Sequence, residues 1–177
     1  MPALLLAASI SSAAVSAPAD EERMAAPALP GFVVAHNAGN ARQTITEQVP
    51  QGQTMERWTK MVTTQRFAGL AARTTPAAYA RMILDSLPRA CPGAKASSVA
   101  GAPVSGRPAA RFQVDCPRST GGQPETFILL AVAGTSTMYV KQVAFRGQVG
   151  PAELAWSRSF LNGVAICSPR DRQPVCQ

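Results

Sequence analysis

Four cysteines, one histidine and a thin scatter of carboxylates are the residues through which this chain could do chemistry. The cysteines stand at 91, 116, 167 and 176, and no two of them are separated by two residues, so neither a zinc knuckle nor a redox dithiol is spelled out. The single His36 cannot complete a two-cysteine, two-histidine set, and neither a metal nor a cofactor is expected. An even number of cysteines in an exported chain reads instead as two disulfides. Of the three possible connectivities, the expected one joins Cys91 to Cys116, the end of a helix to the end of a strand, and Cys167 to Cys176, closing a terminal loop. The first pair requires Cα atoms within about 7 Å, which would hold the helix against the strand end.

A search for catalytic groups assigns none. His36 has no companion nearby in sequence, and no Gly-x-Ser-x-Gly, phosphate loop or dinucleotide fingerprint occurs; the Thr120-Gly-Gly122 turn is too weak a signal. A hydrolase built on this chain would have to recruit Glu47, Glu56, Asp115 or His36 from different strands. Trp58 and Trp156 could line a ligand groove, but both are read as core anchors.

The elements that must position these residues centre on Arg107 to Gly147. In Ala110, Phe112, Val114 and Cys116, apolar residues alternate with Arg111, Gln113 and Asp115, the period of a strand near a sheet edge with one wet face. Glu125 to Ala133 is apolar on both faces and reads as a covered, central strand. In the third strand, Thr137 to Arg146, Tyr139, Val143 and Phe145 share one face, and Met138, Val140 and Ala144 the other. An antiparallel meander apolar on both sides demands covers above and below, which makes the expected class α+β. Thr75 and Pro76 cap and start one helix, whose stripe is Tyr79, Met82, Ile83 and Leu87 and which Pro88 should end close by. Pro151 starts a second, with Leu154, Trp156, Phe160, Leu161 and Val164 as its apolar surface and Glu153 at its positive end. Gly31 to His36 and Gln43 to Val49 form a hairpin about Asn37 to Asn40. Between them and the first helix, Thr54 to Phe67 reads as one turn followed by a strand, although a helix would also explain Trp58 as an anchor. Ala94 to Val104 suits a loop or an edge strand.

With 46% hydrophobic and 15% charged residues, the 177-residue chain can bury one core and is too short for two comfortable domains. Its 15 prolines and 13 glycines call for many turns and few, short helices. The net charge of +7 comes from singly spread lysines and arginines without a basic run, and no nucleic-acid motif accompanies it, so nucleic acid is not an expected partner. Residues 1–17 are uncharged, carry the apolar run Leu4 to Ile10 and close on Val15-Ser-Ala17, as a secretory signal peptide does. That stretch is too short and too poor in large apolar residues to be a transmembrane segment. Residues 18–30, rich in proline and alanine with Asp20-Glu21-Glu22, are expected to be a flexible mature N-terminus, and residues 31–177 a single α+β domain.

Four segments, Ile45 to Thr54, Trp58-Thr-Lys-Met-Val-Thr-Thr-Gln65, Cys91-Pro-Gly93 and Tyr139 to Arg146, together resemble a group of small uncharacterised exported bacterial proteins. The likeness spans most of residues 31–167 and implies a shared fold with no activity to carry over. The order of elements is also similar to the PsbP-like α/β/α sandwich, an antiparallel sheet with helices on both faces used mostly for binding; this is fold analogy alone. The function expected from leader, disulfides and absent catalytic set is a non-catalytic binding domain of the cell envelope, periplasmic or secreted, that takes an envelope protein or an anionic envelope component as partner. An envelope hydrolase, or a basic protein that holds anionic lipid or polysaccharide, is the alternative.

Overall fold

The computed structural model describes residues 22–119, 122–169 and 174–177, so the expected leader, residues 18–21 and the first part of the Thr120-Gly-Gly122 turn lie outside the described residues. In chain order the elements are β1 (Arg23–Ala25), β2 (Phe32–Gly39), β3 (Gln43–Pro50), β4 (Lys60–Phe67), α1 (Pro76–Ala90), β5 (Lys95–Ala96), β6 (Ala109–Cys116), β7 (Glu125–Ala133), β8 (Met138–Arg146), α2 (Pro151–Asn162) and β9 (Ala165–Cys167), with a 3-10 turn at Pro174–Cys176. Seven of the strands form one antiparallel sheet in the order β2-β3-β4-β8-β7-β6-β5. The α+β class holds, and the three-stranded meander from Arg107 to Gly147 is β6, β7 and β8.

Alternation decides which helix each residue meets. Tyr79 and Ala80 of α1 pack on Ala110, Phe112, Val114, Leu129, Ala131, Met138 and Val140. Phe160 and Leu161 of α2 pack on the intervening residues Ile128, Leu130, Val132, Tyr139, Val143 and Phe145, together with Val62 of β4. One strand thus feeds two cores on opposite faces, as period-2 side chains must when both faces are covered. Each large side chain fully withdrawn here stabilises by roughly 1.5–3 kcal/mol.

The helix ends have local causes. Thr75 Oγ1 accepts the Ala78 N–H at 3.2 Å, and Pro76 occupies the first turn, where its missing N–H costs nothing. The α1 helix ends close to Pro88, as expected, running two residues past it to Ala90: the Cys91 N–H closes a bond to the Leu87 carbonyl at 2.7 Å, and Cys91 is tied to Cys116. In α2 the Glu153 carboxylate accepts the Gly150 N–H at 3.1 Å, fixing the start. The turn expected at Thr54 to Arg57 is closed by reciprocal backbone bonds of 3.1 and 3.2 Å, and the strand after it is β4.

Both disulfides are closed in the preferred pairing, with Cα separations of 5.9 Å for Cys91–Cys116 and 5.6 Å for Cys167–Cys176. The first anchors the end of α1 to the end of β6.

The start of the domain departs from expectation. Where a flexible segment was expected over 18–30, Arg23–Ala25 is a strand paired with β9, and Met24 within it and Ala26 and Leu29 after it pack against the α2 core. The cause is long-range. Glu22 forms an ion pair with Arg107 at 2.8 Å and accepts the Thr135 N–H at 3.0 Å, while the Tyr139 hydroxyl donates to the Glu22 carbonyl at 2.6 Å. Gly134 leaves the space that Glu22 fills, and Gly163 the space that Pro27 fills; a Cβ at either position would collide with that side chain.

Candidate functional site

The two helices cover the sheet unevenly. The α1 helix lies over β6 and β7 and reaches β4 only at its end, where Phe67 meets Tyr79, while α2 reaches β4 and β2 through Val62, Lys60 and Phe32; on the α1 side, β2, β3 and most of β4 receive no comparable helix packing. On the α1 side of that open half, the register brings four polar residues into one row across four strands. His36 lies opposite Glu47, Glu47 opposite Thr63, and Thr63 opposite Gln142. Residues directly opposite in an antiparallel pair hold their Cβ atoms about 4.5–5.5 Å apart.

Within the row, the Thr63 hydroxyl donates to Glu47 Oε1 at 3.5 Å, a long bond, while Thr63 is buried, Glu47 half-buried and His36 exposed. One end of the row is flanked by a small apolar cluster of Val49, Trp58, Met61 and Ala144. The Arg146 guanidinium stacks over the Trp58 ring at 4.1 Å, a cation–π contact. Trp58 is therefore the core anchor expected of it. Trp156 is packed as well: its ring stacks on Phe160 and Phe32, with centroids 5.6 and 6.2 Å away, and Lys60 Nζ sits 4.1 Å from it.

Of the four acid and base candidates, the fold thus brings together His36 and Glu47 and separates the other two. Glu56 sits in the exposed turn before β4, where the Thr54 hydroxyl donates to it at 2.8 Å and holds its carboxyl below the usual range. Asp115 lies on β6, on the opposite face and the other half of the sheet, accepting from Thr126 Oγ1 at 2.9 Å and Gln113 Nε2 at 3.2 Å. A pair of carboxylates flanking one bond, about 5–10 Å apart, is what glycoside hydrolysis needs. Glu47 and Asp115, set on opposite faces, do not make one.

All four cysteines are consumed by the disulfides, and no group of three His, Cys, Asp or Glu among the described residues could hold a metal ion. No helix among the described residues is long and apolar enough to cross a membrane.

Sequence reading missed two cations. Lys141, only 6% exposed, sits on β8 amid the α2 core with its ammonium donating to Thr64 Oγ1; burial pushes its pKa down to about 8. The signal was a lysine on the strand face it shares with Tyr139, Val143 and Phe145. Arg111 is half-buried beside α2, and desolvation pushes its pKa down too. Its alternation had placed it on a wet face, and nothing in sequence shows that α2 comes to lie over that face.

No family model matches the chain, and no curated protein matches it. Among solved structures, it is similar to PA94, a protein of unknown function from Pseudomonas aeruginosa, at 14% identity over 71% of this chain and 83% of that one, with a TM-score of 0.48. It is also similar to the Saccharomyces cerevisiae Ran-binding protein Mog1p at 9% identity, over 83% and 96% of the two chains, with a TM-score of 0.48. A third is LpqN of Mycobacterium tuberculosis, involved in cell envelope biogenesis, at 11% identity over 86% and 87%, with a TM-score of 0.43. None of them bears on what this chain binds.

Proposed function

We propose that this chain is an exported, non-catalytic binding domain of the cell envelope, which engages a protein partner through the open half of its sheet. The observation that carries the reading is the uneven cover on the α1 side: there β2, β3 and β4 short of Phe67 lack helix packing comparable to that on β6 and β7. That half ends in β2, an eight-residue edge strand exposed along most of its length, with Val33 and Val34 41% and 57% exposed. An edge strand leaves backbone donors and acceptors available for a partner's strand. The bulge between Val34 and His36 interrupts the register, which resists unselective edge pairing. Two closed disulfides suit an oxidising compartment, in keeping with the leader expected at 1–17.

The test is fractionation with in vivo photo-cross-linking. A photoreactive residue at Val34 or Gln48 should give a discrete adduct in the envelope fraction, and one at Arg89, on the exposed surface of α1, should not. Recovery only in the cytoplasm with reduced thiols would sink the reading, as would equal adducts from all three positions.

A further inference from the structure

On the face covered by α2, two cavities of about 210 and 220 Å³ adjoin at Arg111. They lie between α2 and the segment Ser97 to Val104, over the floor made by β6 and β7. The backbone of Arg111 is bonded in both directions to Ala100, at 2.8 and 2.9 Å, which pins that segment alongside β6. Arg111 Nη1 donates to Asn162 Oδ1 at 2.7 Å, holding the guanidinium against α2.

Asn162 engages one of the five N–H donors of a guanidinium whose charge is permanent. The others meet no acceptor, and Arg111 has no carboxylate partner, among the described residues. The cavity on one side adds a second cation, Arg158, and the polar groups of Ser97, Ser98 and Gln113. That on the other side is mostly apolar, lined by Val104, Leu130 and Leu161. Asp115, the acid farther along β6, is engaged by Thr126 and Gln113 and lines a different cavity. A partly desolvated cation short of acceptors, next to an apolar recess, matches one ligand chemistry: an anion with an apolar tail. Each cavity is smaller than the roughly 300–1,000 Å³ of common ligand pockets, so the tail must be short.

We propose that this groove binds the acidic head of a small amphiphile, a carboxylate or phosphate monoester, with Arg111 and Arg158 taking the anion and the tail lying along Leu130 and Leu161. The site is on the helix-covered half of the sheet and does not depend on the partner surface proposed above.

The experiment titrates the disulfide-bonded protein with octanoate, octyl phosphate and octanol, each below its aggregation concentration, reading arginine Nε resonances and calorimetric affinity. Both anions should shift the Arg111 resonance and bind at least about tenfold more tightly than octanol, a difference of about 1.4 kcal/mol. Arg111→Gln, which keeps an amide donor toward Asn162, should weaken them by about tenfold, and Arg158→Gln at the exposed position by about threefold, within the range of charge-assisted hydrogen bonds. The ratio of octanoate to octyl phosphate identifies the preferred head group. Octanol binding as tightly as the anions would overturn the proposal, as would anion affinity unchanged by Arg158→Gln or the absence of any shift. Should Arg111→Gln fail to fold, the octanol comparison and Arg158→Gln still decide.

Discussion

The strands β7 and β2 belong to one sheet, yet they live in different solvents. From Ile128 onward every residue of β7 is buried, its neighbours are β6 and β8, and it packs against both helices. In β2 only Phe32 and Ala35 are even half-buried, and one side of the strand has no neighbour among the described residues. Stability is concentrated in the half that holds the helices and the Cys91–Cys116 bond. The other half can therefore spend its positions on threonine, glutamine, glutamate and histidine, which would weaken a core.

The sharpest way to break this comparison is truncation on each side of it. Leu130 is fully buried between β6 and β8 beneath α2, so Leu130→Ala should lose about 3–4 kcal/mol, the transfer term plus the cavity left behind. Val34→Ala on β2, 57% exposed, should lose less than about 0.5 kcal/mol. Urea midpoints at constant m-value measure both. Comparable losses would show that the open half is covered in solution, by a second copy or another segment.

Next in size are the disulfides. Removing Cys91–Cys116 as the double serine variant releases a loop with a sequence separation of 25 and should cost about 3 kcal/mol; Cys167–Cys176, with a separation of 9, should cost somewhat less. The two differ in what they hold. Loss of the first frees the end of α1 from β6, so amide exchange should rise in α1. Loss of the second loosens the β1–β9 ribbon, where Arg23 also donates to the Cys176 carbonyl, and should leave α1 protected. Exchange rising equally everywhere in both variants would deny that the molecule has separable regions.

Lys141 is the exception on the covered side, a cation in the α2 core at the strand that joins the two halves. In the unfolded chain a lysine titrates near pH 10.4, and in the fold burial lowers this one to about 8. Between those values the unfolded chain holds a proton that the folded chain lacks, so stability attributable to this residue rises with pH across the window. Below pH 8 the cost is fully present, on the order of 3 kcal/mol before any relief from water reaching the ammonium. Lys141→Met should thus stabilise the protein by about 1–3 kcal/mol at pH 7, part of the gain being offset by the partner lost to Thr64. The advantage should shrink above pH 8 and vanish near 10.5. A stability difference that is flat over pH 7–10.5 would mean that the ammonium stays solvated.

What could be read in advance follows the same division. The meander was legible because Tyr139, Val143 and Phe145 alternate with Met138, Val140 and Ala144, and alternation is a local signal. The cysteine pairing was legible from the ends of the elements it joins. The strand Arg23-Met-Ala25 was not, since three residues carry no period and its support comes from Arg107, Thr135 and Tyr139 more than eighty residues away. Pro88 marked the end of α1 to within two residues, and a disulfide and one backbone bond hold the last turn past it. The meeting of His36 and Glu47 depends on a bulge that sets their register, and the hydrophobic pattern of the two strands does not show where a bulge falls.

That pair also gives the smallest expected effect on stability. His36 is exposed, and Glu47 accepts only the long bond from Thr63, so His36→Ala together with Glu47→Gln should shift the unfolding midpoint by less than about 0.5 kcal/mol. Glutamine keeps the volume and an acceptor for Thr63, so a loss of capture cannot be blamed on a collapsed strand. If the open half is the partner surface, this double variant should lose the adduct formed from Val34 while keeping its stability, its disulfides and its affinity for anions at Arg111. Retention of the adduct would remove the polar row from the interface and leave the bare β2 edge to account for it. A stability loss of 2 kcal/mol or more would say instead that His36 and Glu47 belong to the structure, and that the open half is less distinct from the covered one than its exposure implies.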